Sequence, residues 1–288
     1  MTLQEWLDLG EAQLRRGPHP ERARRDAEMI LLHVIRRERA AMLARWKEKL
    51  DVEEAALLEP LFLRRMAGEP IQYILGQTEF YGLPFRVTAD VLIPRPETEH
   101  LVEKVLELAQ GFHNPRIVDV GCGSGAIAVA LARALPHARI SATDLSSTAL
   151  TVARENAERN QVAGRIRFLR RDLLEPLGPI VPTDDTQFEI VVSNPPYVPL
   201  ADRDSLAVEV REYEPALALF AGDDGLDVYR RLIPAAYDAL IPGGFLALEI
   251  GYGQSPAIRA LLFASGFHSI DFFPDLQNIP RVAVAQRL

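Results

Sequence analysis

Four residues carry the most specific chemistry in this sequence: Asn194-Pro195-Pro196-Tyr197, which follow the apolar run Ile190-Val191-Val192-Ser193. A strand that meets two prolines stops abruptly, and Pro195 biases Asn194 toward an extended backbone. Prolines have no N–H, so the backbone there offers mainly carbonyl acceptors, and the Asn194 side-chain oxygen adds another. Such a pocket suits a group with two N–H donors, either a planar amide or an exocyclic amine. Tyr197 can stack on its flat face.

A second constellation precedes it. Val118-Asp119-Val120-Gly121-Cys122-Gly123-Ser124-Gly125-Ala126 passes from an expected strand, through small residues, into an expected helix. Gly121 allows a tight turn, and Gly123 and Gly125 let a ligand approach the backbone. Asp144 follows the next strand, 23 residues after Gly121. A carboxylate there accepts hydrogen bonds from both hydroxyls of a ribose. Gly121-x-Gly123-x-x-Ala126 also meets the loose dinucleotide pattern, so a NAD-dependent oxidoreductase stays open on this motif alone. Against it, the loop reads G-x-G-x-G and no second half for a nicotinamide is evident. An adenosine-type ligand beside a pocket for a planar amide or an exocyclic amine is the combined expectation.

That pairing suggests a reaction. An amide nitrogen is a poor nucleophile because its lone pair is delocalised into the carbonyl. Asn194 Oδ1 and the Pro195 carbonyl, each accepting one amide hydrogen, would hold the nitrogen in line with a methyl leaving a sulfonium. They would also stabilise the positive charge growing on nitrogen.

The surrounding pattern says what must position these residues. Strands expected at Ile117–Val120, Ala138–Thr143, Arg165–Arg170, Phe188–Ser193 and Phe245–Ile250 alternate with helices at Ala126–Leu135, Ser147–Asn160, Leu226–Ile241 and Gln254–Ser265. Such alternation predicts an α/β, doubly wound parallel sheet. Its close is a terminal strand pair, His268–Phe273 with Arg281–Gln286. Pro242-Gly243-Gly244 is expected to end the long helix.

The first part reads instead as a small helical bundle. Thr2 and Glu5 form a capping box. Pro20 suits a first helical turn, with Ala23, Ala27, Ile30, Leu31 and Val34 along one face. A third helix is expected from Asp51, with Glu54 closing a second box; it buries Leu57, Leu58, Leu61 and Phe62 and stops at Gly68-Glu69-Pro70. Phe80 to Val87 reads as a hairpin around Gly82. The expected division is therefore a helical bundle at 1–78 that recognises a substrate protein, a β-hairpin linker at 79–95, and a catalytic domain at 96–288.

Composition narrows the class. The chain has 288 residues, 48% hydrophobic and 25% charged, with a net charge of −8 and one cysteine. Residues 1–85 hold 13 Lys/Arg against 14 Asp/Glu, and residues 86–288 hold 19 against 26. The acidity thus falls on the part that carries the motifs and argues against a phosphate-gripping surface. Cys122 alone makes neither an intramolecular disulfide nor a thiolate metal site, so no metal is expected. No apolar run reaches a membrane span and no signal peptide opens the chain, so a cytoplasmic protein is expected.

Asn194-Pro195-Pro196-Tyr197 with the glycine loop resembles the S-adenosylmethionine-dependent amino-methyltransferases. Gln72-Tyr73-Ile74-Leu75-Gly76, Ile93-Pro94-Arg95-Pro96-Glu97-Thr98-Glu99 and Tyr213-Glu214-Pro215-Ala216-Leu217-Ala218-Leu219-Phe220 narrow the likeness to the HemK/PrmC family of release factor glutamine N5-methyltransferases. The resemblance implies a Rossmann-like methyltransferase sheet and S-adenosyl-L-methionine as cofactor, leaving S-adenosyl-L-homocysteine. It implies bacterial class I peptide-chain release factors as partners, with no membrane and no direct nucleic acid, and the Gly-Gly-Gln glutamine as acceptor. Residue by residue, it implies that Gly121, Cys122, Gly123, Ser124 and Gly125 wrap the cofactor's methionine end and Asp144 holds its ribose. Asp172 and Leu173 lie by the adenine, and Leu92, Arg95 and Asn194 also line the cleft. Asn194, Pro195, Pro196 and Tyr197 hold the glutamine, with Asn194, Pro195 and Tyr197 catalytic. Leu173 stands where some relatives carry an aromatic residue, and Cys122 where threonine is common. Glu249 ends a strand near the site, either as a structural or as a catalytic carboxylate. A DNA adenine-N6 methyltransferase is the alternative that shares the acceptor logic; the acidic catalytic part counts against it.

Overall fold

The computed structural model describes residues 1–176 and 187–288. Helices α1 (Leu3–Leu14), α2 (Ala23–Ile35), α3 (Arg39–Ala44), α4 (Val52–Met66) and α5 (Ile71–Leu75) open the chain, followed by hairpin strands β1 (Gln77–Phe80) and β2 (Leu83–Arg86). Then come α6 (Thr98–Ala109), β3 (Arg116–Val120), α7 (Ala126–Ala134), β4 (Arg139–Asp144), α8 (Ser147–Arg159), β5 (Ile166–Asp172), β6 (Glu175–Pro176) and β7 (Phe188–Ser193). The chain closes with α9 (Val208–Arg211), α10 (Asp227–Ala239), β8 (Leu240–Glu249), α11 (Ser255–Ala264), β9 (Phe267–Pro274) and β10 (Pro280–Arg287).

Two compact units result: Met1–Gln77 with Leu206–Tyr213, and Thr78–Ser205 with Glu214–Leu288. In the first, Thr2 accepts from the Glu5 N–H while Glu5 reaches back to the Thr2 N–H, the reciprocal cap that its spacing predicts. Asp51 caps α4 by accepting from the Glu54 N–H at 2.7 Å. Leu58 and Phe62 of α4 are buried against Leu3, Leu7, Ala27, Ile30 and Leu31. Leu57 is not: at 58% exposure it lies off the buried stripe, a correction to the expected face. On α2 the stripe ends on Ile35, while Val34 is only half-buried. Leu206–Tyr213 joins this unit from far along the chain; its contacts include Glu209 with Arg65 at 3.0 Å and with Arg22 at 3.2 Å, and the Tyr213 hydroxyl donating to the Ala67 carbonyl at 3.1 Å.

The second unit is built on one sheet, ordered β6-β5-β4-β3-β7-β8-β10-β9 among the described residues. β5, β4, β3, β7 and β8 run parallel, and β10 and β9 add antiparallel pairs. Parallel strands covered on both faces read as continuous apolar runs, which is why Ile190, Val191 and Val192 are all fully buried. Helix α7, apolar all round, is buried from Ala126 through Ala132. The hairpin expected as a linker belongs to this unit instead. Phe80 and Phe85 meet edge to face at 6.0 Å and sit in its core beside Leu101 and Val105. Pro242-Gly243-Gly244 does not end the helix either; α10 stops at Ala239, and these residues lie inside β8, where its register against β7 shifts between Phe188 and Ile190. Among the described residues no helix is long and apolar enough to cross a membrane.

Candidate active site

The order of the strands reverses at β3 and β7, neighbours in the sheet whose crossovers leave in opposite directions. Ligands of open parallel sheets bind outside the carboxyl ends at such a switch point. Here those ends deliver, in spatial order, Asp172 from β5, Asp144 from β4, Gly121 after β3, Asn194 after β7 and Glu249 from β8. Above them opens a cavity of about 430 Å³. Its walls include Gly121, Cys122, Gly123, Ser124, Asp144, Asp172, Leu173, Asn194 and Pro196, with Leu92 and Arg95 opposite in sequence. Gly125, Pro195 and Tyr197 do not line it.

The glycine loop has the form of a cradle. Gly121 and Gly123 hold left-handed φ of +72° and +53°, and a Cβ on either would meet nothing within 4 Å. That open space is the cavity, so a ligand there reaches bare backbone. Gly125 has a different reason. A Cβ on it would stand 3.0 Å from Ala153 Cβ, so its missing side chain lets α7 pack against α8. This corrects the expectation that Gly125 exposes backbone to a ligand.

Asp144 ties the loop to the next strand: Oδ2 accepts from the Gly123 N–H and Oδ1 from the Ser146 N–H, both at 2.8 Å. Each oxygen keeps a second lone pair for a ligand. Burial pushes its pKa up, against the N–H groups that favour its charged form. Asp172 pairs with Arg231 at 2.8 Å. Leu173 holds a left-handed φ of +55°, unusual for a leucine, and its carbonyl accepts from Thr143 Oγ1 at 2.9 Å. Arg95 is anchored on the buried carboxylate of Glu214 at 2.6 Å.

Around Asn194 a buried polar network appears. Asn194 Nδ2 donates to Thr98 Oγ1 at 3.0 Å, and that hydroxyl donates to Glu249 Oε2 at 2.6 Å. The Tyr197 hydroxyl donates to Glu249 Oε1 at 3.3 Å, and the Tyr229 hydroxyl to the Glu249 carbonyl at 2.7 Å. Burial raises the Glu249 carboxyl above its ordinary value; the Thr98 and Tyr197 hydrogen bonds pull the other way. The Tyr197 phenol is pushed up by burial and by the charge of Glu249. Burial pushes the Cys122 thiol well above its usual range, which favours its neutral form.

Sequence reasoning gave no role to Thr98 or Glu214, although both lie in segments that carry the family resemblance. Their partners are 96 and 119 residues away. A threonine at the first position of a helix carries no local mark of such a bond.

Two family models match this chain: the PrmC N-terminal domain over residues 5–76 and the Methyltransferase small domain over residues 97–210. A release factor glutamine methyltransferase of Geobacter sulfurreducens is 43% identical over 91% of this chain and 89% of its own. The enzyme of that name from Moorella thermoacetica is 43% identical over 100% of this chain and 99% of its own. Among solved structures, the 16S rRNA methyltransferase RsmC of Thermus thermophilus, in complex with AdoMet and guanosine, superposes with a TM-score of 0.53 at 21% identity. The match covers 74% of this chain and 50% of RsmC, and at that distance it shows the fold.

Proposed function

The chain belongs to the release factor glutamine methyltransferase family, and from that premise we propose how its cavity works. The protein transfers a methyl group from S-adenosylmethionine to a glutamine of a release factor. We assign the acceptor as the side-chain N5 of the glutamine in the Gly-Gly-Gln motif of bacterial class I peptide-chain release factors. The reaction belongs in the cytoplasm, where these factors act, and the partner is a protein rather than nucleic acid or a membrane.

S-adenosylmethionine, when bound, supplies an electrophilic methyl on a sulfonium. Gly121 to Ser124 hold its methionine end, Asp144 its ribose, and Asp172 with Leu173 its adenine; Leu92 and Arg95 close the cleft. The support is chemical. The glycine cradle leaves room for a ligand against the backbone, and the carboxylates of Asp144 and Asp172 border the same space. A cavity of about 430 Å³ suits a ligand of this size.

Asn194 Oδ1 and the Pro195 carbonyl each accept one hydrogen of the substrate amide, while Pro196 and Tyr197 complete its seat. These acceptors orient the nitrogen and stabilise the positive charge that develops on it as its bond to the methyl forms. The nitrogen becomes acidic only after transfer, so no strong base is needed beforehand.

One observation carries the reading. β3 and β7 pair with Val118 opposite Val191, and the residues just beyond, Gly121 and Asn194, border one cavity. Incubating the enzyme with labelled S-adenosylmethionine and release factor, or duplex DNA, tests it. The expected result is one methyl on the Gly-Gly-Gln glutamine, abolished by a Gln→Ala acceptor. Methyl incorporated into DNA alone would overturn it.

A further inference from the structure

We propose that Thr98 and Glu249 are positioning residues that decide which edge of the Asn194 amide faces the substrate. The proposal rests on the reading of Asn194 Oδ1 as an acceptor for the substrate amide.

The three residues come from separate elements: Thr98 opens α6, Asn194 follows β7, and Glu249 ends β8. Thr98 is 4% exposed and Glu249 1%, so water does not compete for their bonds. Two hydroxyls point at Glu249, Thr98 on Oε2 at 2.6 Å and Tyr197 on Oε1 at 3.3 Å. One donor on each oxygen makes Glu249 an acceptor on both sides.

Polarity follows from proton counting. A threonine hydroxyl has a single hydrogen, and here it goes to Glu249. Toward Asn194 its oxygen is therefore only an acceptor, and only the NH2 edge of the amide satisfies it. That edge donates at 3.0 Å, and the planar amide turns Oδ1 the opposite way. A flipped Asn194 would set its oxygen against the Thr98 oxygen and offer N–H groups to a substrate that also brings N–H groups. Two repulsive contacts would replace two hydrogen bonds. Asparagine alone has no strong preference between the two orientations. The carboxylate supplies it, through one hydroxyl, without touching substrate.

The chain also explains the cost of burying Glu249. A carboxylate at a strand end of an apolar core is unfavourable unless its oxygens are bonded. Here both oxygens are used, and one of the two bonds sets the polarity of a site residue.

The test measures kcat, KM for release factor, cofactor Kd and Tm for Thr98→Val, Thr98→Ala, Thr98→Ser and Glu249→Gln, each also combined with Asn194→Ala. Valine matches the shape of threonine without the hydroxyl. Thr98→Val is expected to lower kcat roughly 10–100-fold while cofactor Kd stays within about threefold. Thr98→Ser keeps the hydroxyl and is expected to stay within about threefold of the parent in kcat. Glu249→Gln can turn its own NH2 toward Thr98, which frees the hydroxyl to donate to Asn194 and reverses the chain. Its kcat is expected to fall less than that of Thr98→Val, because the glutamine can also face Thr98 with its oxygen; Thr98→Ala, which likewise lacks the hydroxyl, carries the test should Thr98→Val fail to fold. In the Asn194→Ala background, Thr98→Val is expected to add little further loss, because its effect passes through Asn194.

Unchanged kcat in both Thr98→Val and Glu249→Gln would overturn the proposal. So would an equal loss for Thr98→Val with and without Asn194. If Asn194→Ala itself keeps the parent kcat, the reading of the amide site fails, a result distinct from either of these.

Discussion

Gly123 donates its backbone N–H to Asp144 Oδ2 at 2.8 Å, which joins the loop after β3 to the carboxylate after β4. One side chain thus holds the cradle and, in the function proposed above, offers its free lone pairs to a ribose. Asp144→Ala removes both and is expected to weaken cofactor binding roughly 10–100-fold, since hydrogen bonds to charged groups contribute about 1.5–3 kcal/mol each. Asp144→Asn is nearly isosteric, yet its NH2 would face either the Gly123 or the Ser146 N–H, so it is expected to lose affinity too. Asn194→Ala is expected to lower kcat roughly 100–1,000-fold, to a rate that is still measurable, while binding cofactor nearly as well as the parent. Calorimetric titration checks the division. Equal loss of cofactor affinity in Asp144→Ala and Asn194→Ala would contradict it.

The glycines of the loop separate in the same way. Gly125→Ala forces a Cβ against Ala153 Cβ at 3.0 Å and Ala153 Cα at 3.2 Å, at a φ of +80°. Left-handed strain of about 1 kcal/mol adds to overpacking of about 1–3 kcal/mol, so its Tm is expected to fall clearly without any ligand present. Gly123→Ala has the strain but open space around its Cβ. Its Tm is expected to fall less, and its cofactor Kd to rise more than its lost stability explains. Thermal unfolding without cofactor and a titration, run on both variants, distinguish packing from binding.

Much of this site could be read before any coordinates, because strand ends and loops carry local marks. The apolar run Ile190-Val191-Val192 lies in a strand that ends just before Asn194-Pro195-Pro196, and the small residues from Gly121 to Gly125 turn where glycine permits it. What could not be read depends on distant partners. Thr98 is defined by Asn194 and Glu249, Arg95 by Glu214, and none of these pairs lies close in sequence. Local marks also misled where tertiary pairing overrode them. Gly243 and Gly244 look like a helix stop, yet they serve the irregular start of β8, where a Cβ on Gly244 would stand 3.0 Å from the Glu189 carbonyl. The helices α3 and α5, at six and five residues, are too short to display a helical period.

Asp119 gives the fold a predictable pH dependence. It is fully buried; Oδ2 accepts from the Ala128 N–H at 3.1 Å, and Oδ1 has no partner among the described residues. Burial pushes its pKa from 3.8 up to about 7, the Ala128 N–H pulls down, and nearby Asp144 pushes up again. The folded protein therefore holds this proton more tightly than the unfolded chain does. The stabilisation is complete below the unfolded value near 3.8 and is lost as pH rises through about 7. Asp119→Asn removes the titration. Its stability relative to the parent is expected to improve from about pH 4 to about pH 7 and then to level off. Urea unfolding across that range measures it. A difference independent of pH would mean that Asp119 keeps an ordinary carboxylate pKa in the fold.

Arg65 makes the sharpest prediction for the helical unit. It is 3% exposed, donates through Nε to Asp26 Oδ2 at 2.7 Å, and donates through Nη1 to the Glu69 carbonyl at 2.9 Å and to Glu209 Oε2 at 3.0 Å. Asp26 is buried as well, so Arg65→Ala would leave a desolvated carboxylate without its cation. Breaking a buried pair from one side costs about 3–5 kcal/mol. Replacing both partners by apolar groups of similar volume is often neutral, so Arg65→Met with Asp26→Leu is expected to recover much of the loss. Glu209 belongs to Leu206–Tyr213, the segment that joins this unit from beyond the Asn-Pro-Pro-Tyr strand. Hydrogen exchange at residues 206–213 is therefore expected to quicken in Arg65→Ala and to stay quick in the double variant, because the apolar pair restores the core without restoring the ion pair to Glu209. Slow exchange there in the double variant would show that the segment is held by its other contacts, among them Arg22 with Glu209 at 3.2 Å and the Tyr213 hydroxyl on the Ala67 carbonyl at 3.1 Å, rather than by the Arg65–Glu209 ion pair.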